Sequence, residues 1–340
     1  MTSPDPGRLM AAEIAEQPAA LRRLLSEGRE EIADAVARID EFQPRFVVFA
    51  ARGTSDHAAL YAKYLVEIEL GLPAGLASPS ALTVYGSRPA MSGVLFVAVS
   101  QSGTSPDLVD SVVVARDCGA LTVAVTNDPR SPLAKAAALH VDVRAGEEHA
   151  VAATKSYTAE LLALYLLLGG RDGANRAASA LPEAAEATLA LDTTASVVER
   201  YRHAERLVTT ARGYSYATAR ESALKLMETS YLAAHAFSGA DLLHGPMAMI
   251  DRGVPVLAVV SRGRGGTAME PVLSRLADAG ADVVRVGQGG ELSVVGGGIP
   301  EDLLPVLEIL PLQQLALRLA IARGQDPDRP RGLSKVTRTW

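Results

Sequence analysis

The sequence predicts an α/β protein of two tandem units, each a doubly wound, flavodoxin-like parallel sheet with helices on both faces. Short apolar segments alternate with helical segments along the chain, a pattern typical of parallel sheets. Residues 46–55 and 207–215 are near copies, because each is an apolar strand that ends in Ala-Arg-Gly-x-Ser. Residues 93–100 and 254–261 form a second pair at the same offset of about 160 residues, which indicates a duplicated unit.

Length and composition agree with this architecture. The chain has 340 residues, more than one core usually supports. Its hydrophobic content of 48% with only 4% aromatic residues fits aliphatic strands buried on both faces. A net charge of −6 offers no basic surface for nucleic acid or a membrane. The single cysteine, Cys118, excludes an intrachain disulfide and a cysteine-based zinc site. We expect no metal and no cofactor.

The position of each element follows from apolar spacing and from turn residues. Strands are predicted at 45–51, 74–78, 94–100, 121–126, 139–143, 206–211, 254–260 and 282–286. Helices are predicted at 11–26, 30–39, 57–70, 107–118, 158–169, 174–202, 219–237, 269–279 and 312–322. The implied organisation is N-terminal helices in 1–40, a first domain in 41–173, a linker helix in 174–205, a second domain in 206–325 and a C-terminal tail in 326–340.

Three other segments bear on how the chain works. The Gly-rich segment 287–298 is interpreted as a tolerated insertion, with a lid as the alternative. The tail is either a lid or a frayed terminus. The first residues lack the pattern of a signal peptide, and the apolar run 161–168 is too short to span a bilayer. We therefore expect a cytoplasmic protein.

The turn that follows the strand at 94–100 is the strongest functional signal in the first half. Its donors are Ser100, Gln101, Ser102 and Ser105, directly before a helix. Backbone N–H groups and the helix dipole favour an anion at such a position. The turn has no lysine and is not a Walker loop, so a sugar phosphate is the expected ligand. The alternative is a Ser-rich turn that only caps its helix. The corresponding turn at 262–266 lacks the hydroxyls, and we expect the second domain to contribute different groups.

The second half carries a candidate catalytic stripe. Glu221, Lys225 and Glu228 are spaced to lie on one face of a helix, and His244 follows in a His-Gly-Pro sequence. A solvated salt-bridge stripe is the ordinary alternative. The apolar residues around the stripe argue against solvent exposure. A carboxylate, an ammonium and an imidazole suit proton transfer next to a carbonyl.

Six motifs in order give the chain a resemblance to a known family. They are Glu-Ile-Ala-Glu-Gln-Pro at 13–18, Arg-Gly-Thr-Ser-Asp-His at 52–57, Ser-Gln-Ser-Gly at 100–103, Thr-Lys at 154–155, Glu-Ser-Ala-Leu-Lys-Leu-Met-Glu at 221–228 and His-Gly-Pro at 244–246. The chain resembles the sugar isomerase (SIS) family over nearly its whole length. Within that family it is most similar to the isomerase half of glucosamine-6-phosphate synthases and to stand-alone deaminases.

The resemblance implies a role for each site residue. The substrate and its phosphate would be bound by Gly53, Thr54, Ser55, Ser100, Gln101, Ser102, Ser105, Val151 and Ala153. Glu228 would move a proton between C1 and C2, with Glu221 and Lys225 beside it. His244 would help to open the sugar ring from the neighbouring subunit of a homodimer, and Lys335 would close over the substrate.

Departures from the family pattern refine the expected reaction. The chain shows no glutaminase domain and no cysteine near its start, so we expect a glutamine-independent enzyme. Ala153 stands where the synthases have serine, and the ending 330–339 resembles the deaminases. We expect an amino-sugar 6-phosphate isomerase or deaminase that works through ring opening and a C1–C2 enediol or enolamine, for example converting glucosamine 6-phosphate to fructose 6-phosphate and ammonia. The alternatives are a dehydratase that eliminates the 3-hydroxyl of N-acetylglucosamine 6-phosphate and a non-catalytic sugar-phosphate sensor.

Overall fold

The computed structural model describes residues 5–169 and 174–335. They form two compact units, each built around its own sheet. The first unit contains 19–148, 155–169, 174–179 and 334–335, and the second contains 5–18, 149–154 and 180–333. The two units therefore alternate along the chain. The second unit includes the N-terminal segment 5–18 and the short segment 149–154, and the first includes residues 334–335.

All of the described strands belong to two parallel sheets. They are β1 (Phe46–Ala50), β2 (Ala74–Leu76), β3 (Val94–Ser100), β4 (Leu121–Thr126), β5 (Leu139–Asp142), β6 (Arg206–Ala211), β7 (Ala233–Ser238), β8 (Pro255–Val259), β9 (Asp282–Gly287) and β10 (Leu292–Ser293). The first unit has the order β2-β1-β3-β4-β5 and the second the order β7-β6-β8-β9-β10. These are the same topology, which confirms the predicted duplicated, flavodoxin-like α/β fold.

Helices surround both sheets. They are α1 (Arg8–Ala15), α2 (Gln17–Glu27), α3 (Arg29–Phe42), α4 (Thr54–Leu65), α5 (Pro79–Thr83), α6 (Pro106–Asp117), α7 (Pro132–Ala136), α8 (Lys155–Leu168), α9 (Ala174–Ala178), α10 (Leu181–Leu189), α11 (Ala195–Tyr201), α12 (Tyr216–Ser230), α13 (Gly239–Leu243), α14 (Arg264–Thr267), α15 (Glu270–Asp278) and α16 (Leu304–Ala322). A π-helical turn, Val66–Leu70, extends α4.

The core of each unit lies between its sheet and the flanking helices. In the first unit Phe96 of β3 packs with Leu108 and Val112 of α6. In the second unit Val256 of β8 packs with Val272 and Leu276 of α15. The strands are apolar throughout because helices cover both faces of a parallel sheet. As a result, the polar residues that could bind a ligand lie in the turns at the strand ends.

The helix predicted at 219–237 is wrong beyond residue 230. Helix α12 ends at Ser230 because Tyr231 adopts a left-handed conformation with φ 54°. The chain then forms β7, which pairs in parallel with β6. The left-handed C-cap usually falls to glycine or asparagine, and a tyrosine there gives no sequence signal.

The final helix is longer than predicted. It begins at Leu304 rather than at residue 312 and continues through Pro311, which lies inside the helix. Proline normally interrupts a helix because it lacks an N–H donor. Here almost the whole helix is buried, and packing on all sides offsets the missing hydrogen bond. The segment Glu301–Ala322 is long and apolar enough to cross a membrane by composition, but 78% of its apolar window is buried inside the protein, as in a core helix.

The predicted linker and glycine-rich loop have more structure than expected. The segment predicted as one helix at 174–202 contains three, and α10 and α11 pack against α16 in the second unit. The segment 287–298 contributes β10, which pairs with β9 as the edge strand. The amide of Val295 donates to Thr188 Oγ1 at 3.0 Å, which fastens this segment to α10.

The first ten residues of the C-terminal tail are anchored rather than frayed. Asp326 accepts a hydrogen bond from the amide of Gly7 at 3.1 Å. Asp328 accepts from the amides of Leu9 and Met10 at 2.8 and 2.9 Å. Carboxylates at these amides satisfy the first turn of α1 and complement its dipole. Residues 336–340 of the tail lie outside the described residues.

A buried carboxyl group connects the last helix of the second unit to two of its turns. Glu308 of α16 accepts a hydrogen bond from Ser261 Oγ at 2.6 Å, and the hydroxyls of Ser261 and Ser215 contact each other. Burial raises the pKa of Glu308 to about 7, although hydrogen bonds from both serines partly oppose the shift. Glu308 therefore favours its protonated form in the folded protein.

This pKa predicts a pH-dependent stability. Between its ordinary value of 4.5 and about 7, Glu308 holds a proton in the folded state that it loses in the unfolded state. Its stabilising contribution is full at low pH and is lost as the pH rises to about 7. The free energy of unfolding of Glu308→Gln, minus that of wild type, should increase over this range and then stay constant, as measured by urea denaturation. Glu270→Gln, at an exposed position, is the control. A difference independent of pH would contradict the assignment.

Candidate functional site

The strand order reverses beside β1 and β3 in the first unit. In doubly wound sheets, ligands bind at the carboxyl ends of the strands that flank this reversal. Gly53 lies in the turn after β1, and Thr54 and Ser55 begin α4 directly after it. Ser100 ends β3, and Gln101, Ser102 and Ser105 lie in the turn that follows. Because β1 and β3 are hydrogen-bonded neighbours, the fold brings both predicted phosphate-binding segments of this unit to one edge of the sheet.

The turn after β3 leads directly into α6. Ser105 is the N-cap residue in an extended conformation, and its side chain makes no capping hydrogen bond. Ser100 is buried and accepts from the amide of Gly103 at 3.2 Å, whereas the Ser102 hydroxyl lies 2.9 Å from Thr104 Oγ1. Gly103 has φ 60°, and a Cβ there would lie 2.3 Å from Ser131 Oγ. The tight turn thus requires glycine, and it leaves the N-terminus of a three-turn helix available to an anion.

An arginine joins the two turns and was missed as a site residue in the sequence. Arg52 contacts Asp107 Oδ2 through Nε at 2.8 Å and through Nη2 at 2.7 Å. Asp107 is almost fully buried in the first turn of α6, while 47% of the Arg52 side chain is exposed. The guanidinium neutralises the carboxylate and fixes one turn against the other. The repeated Ala-Arg-Gly sequence was the available signal.

Ser55 is held by a buried carboxyl group. Its hydroxyl donates to Glu160 Oε1 of α8 at 2.8 Å, and both side chains are buried. A hydroxyl has one hydrogen to donate, so in this arrangement Ser55 is oriented by Glu160 rather than directed at a ligand. Donation to a phosphate would require the hydroxyl to rotate, or Glu160 to be protonated and to donate to Ser55.

The corresponding turn of the second unit is filled by the protein itself. Glu301 Oε2 accepts from the amide of Arg264 at 2.9 Å, and its Oε1 accepts from that of Gly265 at 2.6 Å. A Cβ at Gly263 would lie 2.2 Å from Glu301 Oε2, so this position also requires glycine. A carboxylate of the chain therefore occupies the amides that a bound anion would use. This explains how the two turns differ although the fold is repeated.

The predicted catalytic stripe is a buried ion-pair network on α12. Lys225 Nζ lies 3.3 Å from Glu221 Oε1 and 2.6 Å from Glu228 Oε2. Burial alone would lower the pKa of Lys225, but the two carboxylates raise it above its ordinary value. Glu221 is fully buried, whereas 21% of the Glu228 side chain is exposed. Of the two carboxylates, Glu228 is the one that a substrate can reach, and the solvated-stripe alternative is wrong.

Three other predicted residues lie in the second unit. His244 is exposed and follows α13, with Gly245 at φ 129° directly after it. Val151 and Ala153 are partly exposed in the segment 149–154. Glu13 of α1 accepts from the amides of His149 and Ala150, and Gln313 Nε2 of α16 donates to the Thr154 carbonyl at 3.2 Å. Both ends of this short segment are therefore fixed by buried side chains.

The tail lysine lies in the first unit. Lys335 Nζ is 2.9 Å from Glu148 Oε2, whose side chain is fully buried. Glu148 also accepts from the amide of Ser156 at 3.1 Å and from its hydroxyl at 2.6 Å. An ammonium, an amide and a hydroxyl thus stabilise the negative charge of this carboxylate. Glu148 was not predicted from the sequence, because its partners become neighbours only in the fold.

Replacing either of two hydroxyls in the turn after β3 should weaken phosphate binding. Ser102→Ala and Ser100→Ala each remove a hydrogen-bond donor at a charged ligand, which is worth about tenfold or more in affinity. Calorimetric titration with a hexose 6-phosphate measures the effect. Ser26→Ala, at an exposed helix position, should bind as wild type does. Unchanged affinity in both turn variants would reject this phosphate site.

The ion pair of Lys335 allows its structural and functional roles to be separated. Lys335→Met removes a cation that pairs with a buried carboxylate, so stability should fall by about 1–3 kcal/mol and turnover should fall as well. The double variant Lys335→Met/Glu148→Gln also removes the charge of that carboxylate. It should regain thermal stability while remaining impaired in turnover. Recovery of turnover in the double variant would show that Lys335 acts only as a structural cation.

Comparison with known proteins supplies the family. The SIS domain profile matches residues 42–169 and 200–284. The glutamine–fructose-6-phosphate aminotransferase (isomerizing) of Pyrococcus horikoshii is 32% identical over 347 residues, which cover 96% of this chain and 57% of that protein. The chain therefore spans a little more than half the length of such relatives.

Two crystal structures show the same fold over nearly their whole length. A provisionally assigned phosphosugar isomerase from Silicibacter pomeroyi has a TM-score of 0.87 and 35% identity, covering 94% of this chain and 99% of that one. The C-terminal domain of glucosamine-fructose-6-phosphate aminotransferase from Francisella tularensis has a TM-score of 0.85 and 25% identity, covering 96% of this chain and 99% of that domain. With the family profile matching each half and the same five-stranded sheet in both, this chain belongs to the SIS domain family and carries that domain twice.

Proposed function

We propose that this chain is an isomerase or deaminase of amino-sugar 6-phosphates, converting a substrate such as glucosamine 6-phosphate to fructose 6-phosphate and ammonia. The observation that carries the proposal is the network on α12, in which buried Lys225 pairs with buried Glu221 and with partly exposed Glu228. It provides one reachable carboxylate suited to removing a proton next to a carbonyl. The names of the similar proteins, a fructose-6-phosphate aminotransferase and a phosphosugar isomerase, support the substrate class.

In this proposal the phosphate and the reacting carbons are handled by different residues. The turns after β1 and β3 bind the phosphate at the α6 N-terminus, where Arg52, paired with Asp107, holds the two turns together. Phosphate binding is independent of the reacting carbons, so it positions the substrate without taking part in bond changes. The second unit supplies Glu228 as the base. His244, exposed on its turn, opens the ring from the neighbouring subunit of a cytoplasmic homodimer.

The proposed steps conserve atoms and charge. Ring opening gives an aldehyde at C1. Glu228 removes the proton from C2 while the C1 oxygen gains a proton, which forms an enolamine. Glu228 then returns its proton to C1 as the nitrogen loses one, which gives an imine at C2 and a hydroxyl at C1. Water then adds to the imine, and ammonia leaves to give the ketone. Lys335 assists by placing an ammonium where negative charge develops on oxygen.

A second reaction is favoured by one observation. Ala153 presents a methyl group, partly exposed, at a position where the resemblance to the synthases implies serine. A smaller, apolar side chain leaves more room beside the sugar and removes a hydrogen-bonding group. An acetylated nitrogen is a poor leaving group, so the same intermediate formed from N-acetylglucosamine 6-phosphate would expel the 3-hydroxyl as water.

Proton transfer tests the role of Glu228 before any product is identified. In deuterium oxide, wild type should introduce deuterium into the sugar at C1 or C2, and Glu228→Gln should not, although it should still bind sugar phosphate. Glu221→Gln is the matched comparison, since it changes the buried carboxylate on the same face. Exchange by Glu228→Gln at the wild-type rate, followed by NMR, would remove Glu228 from the mechanism.

The nitrogen substituent separates the two reactions. Glucosamine 6-phosphate and N-acetylglucosamine 6-phosphate are offered separately, with ammonia release and product mass as readouts. We expect ammonia and fructose 6-phosphate from the free amine. Loss of water from the acetylated sugar, without ammonia from the free amine, would establish the dehydratase instead. Binding of either sugar with no exchange and no product would indicate a sugar-phosphate sensor.

A further inference from the structure

The second unit has a cavity at the amino ends of β6 and β7, opposite the strand ends that carry its turns. Its volume is about 550 Å³. Its wall comes from the residues just before β6, the end of α12 and the chain after α16, and its main contributors are Arg202, Glu205, Ser230, Tyr231, Arg323 and Arg331. None of these residues was assigned a role in the sequence analysis or in the proposed reaction.

The cavity concentrates positive charge in an acidic protein. Three arginines and His203 line it, against one carboxylate, Glu205, although the whole chain carries a net charge of −6. Three guanidinium groups against one carboxylate give the lining an excess of positive charge, which attracts anions. The charge of this cavity therefore points to an anionic ligand.

Two of the guanidinium groups are already fixed in place. Arg323 Nη1 donates to the carbonyls of Arg202 and Ala204 at 3.0 and 2.7 Å. The Arg331 guanidinium lies over the Tyr231 ring at 4.0 Å, and the amide of Arg331 donates to the Tyr231 hydroxyl at 2.9 Å. Arginines held before a ligand arrives lose less side-chain entropy when they bind it.

The third arginine has a donor without an acceptor. Within the described residues, Arg202 Nε is buried and makes no hydrogen bond. At its other end, Nη1 lies 3.4 Å from Glu199 Oε2 on the surface. Because Nε is closed to solvent, Arg202 can offer a ligand in the cavity only its terminal Nη groups.

We propose that this cavity, which we call the arginine pocket, binds a small phosphorylated metabolite through its phosphate. Guanidinium groups match phosphate oxygens in charge and in paired hydrogen bonds. The volume suits a ligand of sugar-phosphate size. Tyr231 lies three residues after Glu228 and Arg331 lies four before Lys335, so a ligand in the pocket would contact chain segments that lead to both residues. The site is therefore suited to regulation by a phosphorylated metabolite.

The test distinguishes the arginine pocket from the predicted phosphate site in the turn after β3 of the first unit. Inorganic phosphate is titrated by calorimetry, at fixed ionic strength, into the full chain carrying Ser100→Ala and Ser102→Ala. We expect one phosphate still to bind. Adding Arg202→Gln should weaken that binding by about tenfold or more. Adding Arg206→Gln should leave it unchanged. Arg206 is the matched control, since it is a nearby surface arginine paired with Asp251 at 3.3 Å and does not line the pocket.

Circular dichroism confirms that each variant is folded, and Arg331→Gln replaces Arg202→Gln if the latter unfolds. The pocket is overturned if the serine variant binds no phosphate, or if binding persists at full strength in the folded arginine variant. If wild type and the serine variant bind phosphate equally and the arginine variant loses it, the pocket stands and the proposed phosphate turn fails.

Discussion

The reversal of strand order beside β1, repeated beside β6, is the constraint on which the rest of the structure depends. A parallel sheet covered on both faces leaves only its edges for polar chemistry. At the reversal, two neighbouring strands send their following helices to opposite faces, so their turns part and leave a crevice lined by amides. The contact between Arg52 and Asp107 in the first unit forms across this crevice, and it ties two turns that are 55 residues apart in the chain. Motifs that are far apart in the sequence therefore lie together at one edge of the sheet.

In both units a buried glutamate holds a serine of these turns, but the two units differ in what occupies the amides of the turns. In the first unit Ser55 donates to buried Glu160. In the second its counterpart Ser215 contacts Ser261, which donates to buried Glu308. Each glutamate comes from a buried helix that follows the turns in sequence. The amides of the second turn, in contrast, are satisfied by Glu301. A carboxylate tethered by the fold has a far higher effective concentration than a free anion, so the second turn is closed to phosphate by its own chain.

The sequence predicted strands better than helix ends, for physical reasons that particular residues illustrate. The bounds of β3, β4 and β6 match their predictions because each apolar run ends in a polar turn. The end of α12 was not predicted because Tyr231 adopts a left-handed conformation, which is unusual for a tyrosine. The beginning of α16 was missed because proline is a reliable helix breaker only where packing does not compensate. The site motifs were visible as local patterns, whereas the support from Glu160 and Glu301 arises from contacts made only on folding.

The network on α12 shows that the same spacing of charges has different consequences on a surface and in a core. A charge in the interior is costly unless it is paired. The two carboxylates of the network differ in their access to water. Glu221 is fully buried and pairs with Lys225, whereas Glu228 keeps 21% of its side chain exposed. The lysine thus compensates the inner carboxylate and holds the outer one in place. The spacing that on a surface would indicate a solvated stripe here leaves a single carboxylate, oriented by its ammonium, at the boundary of the core.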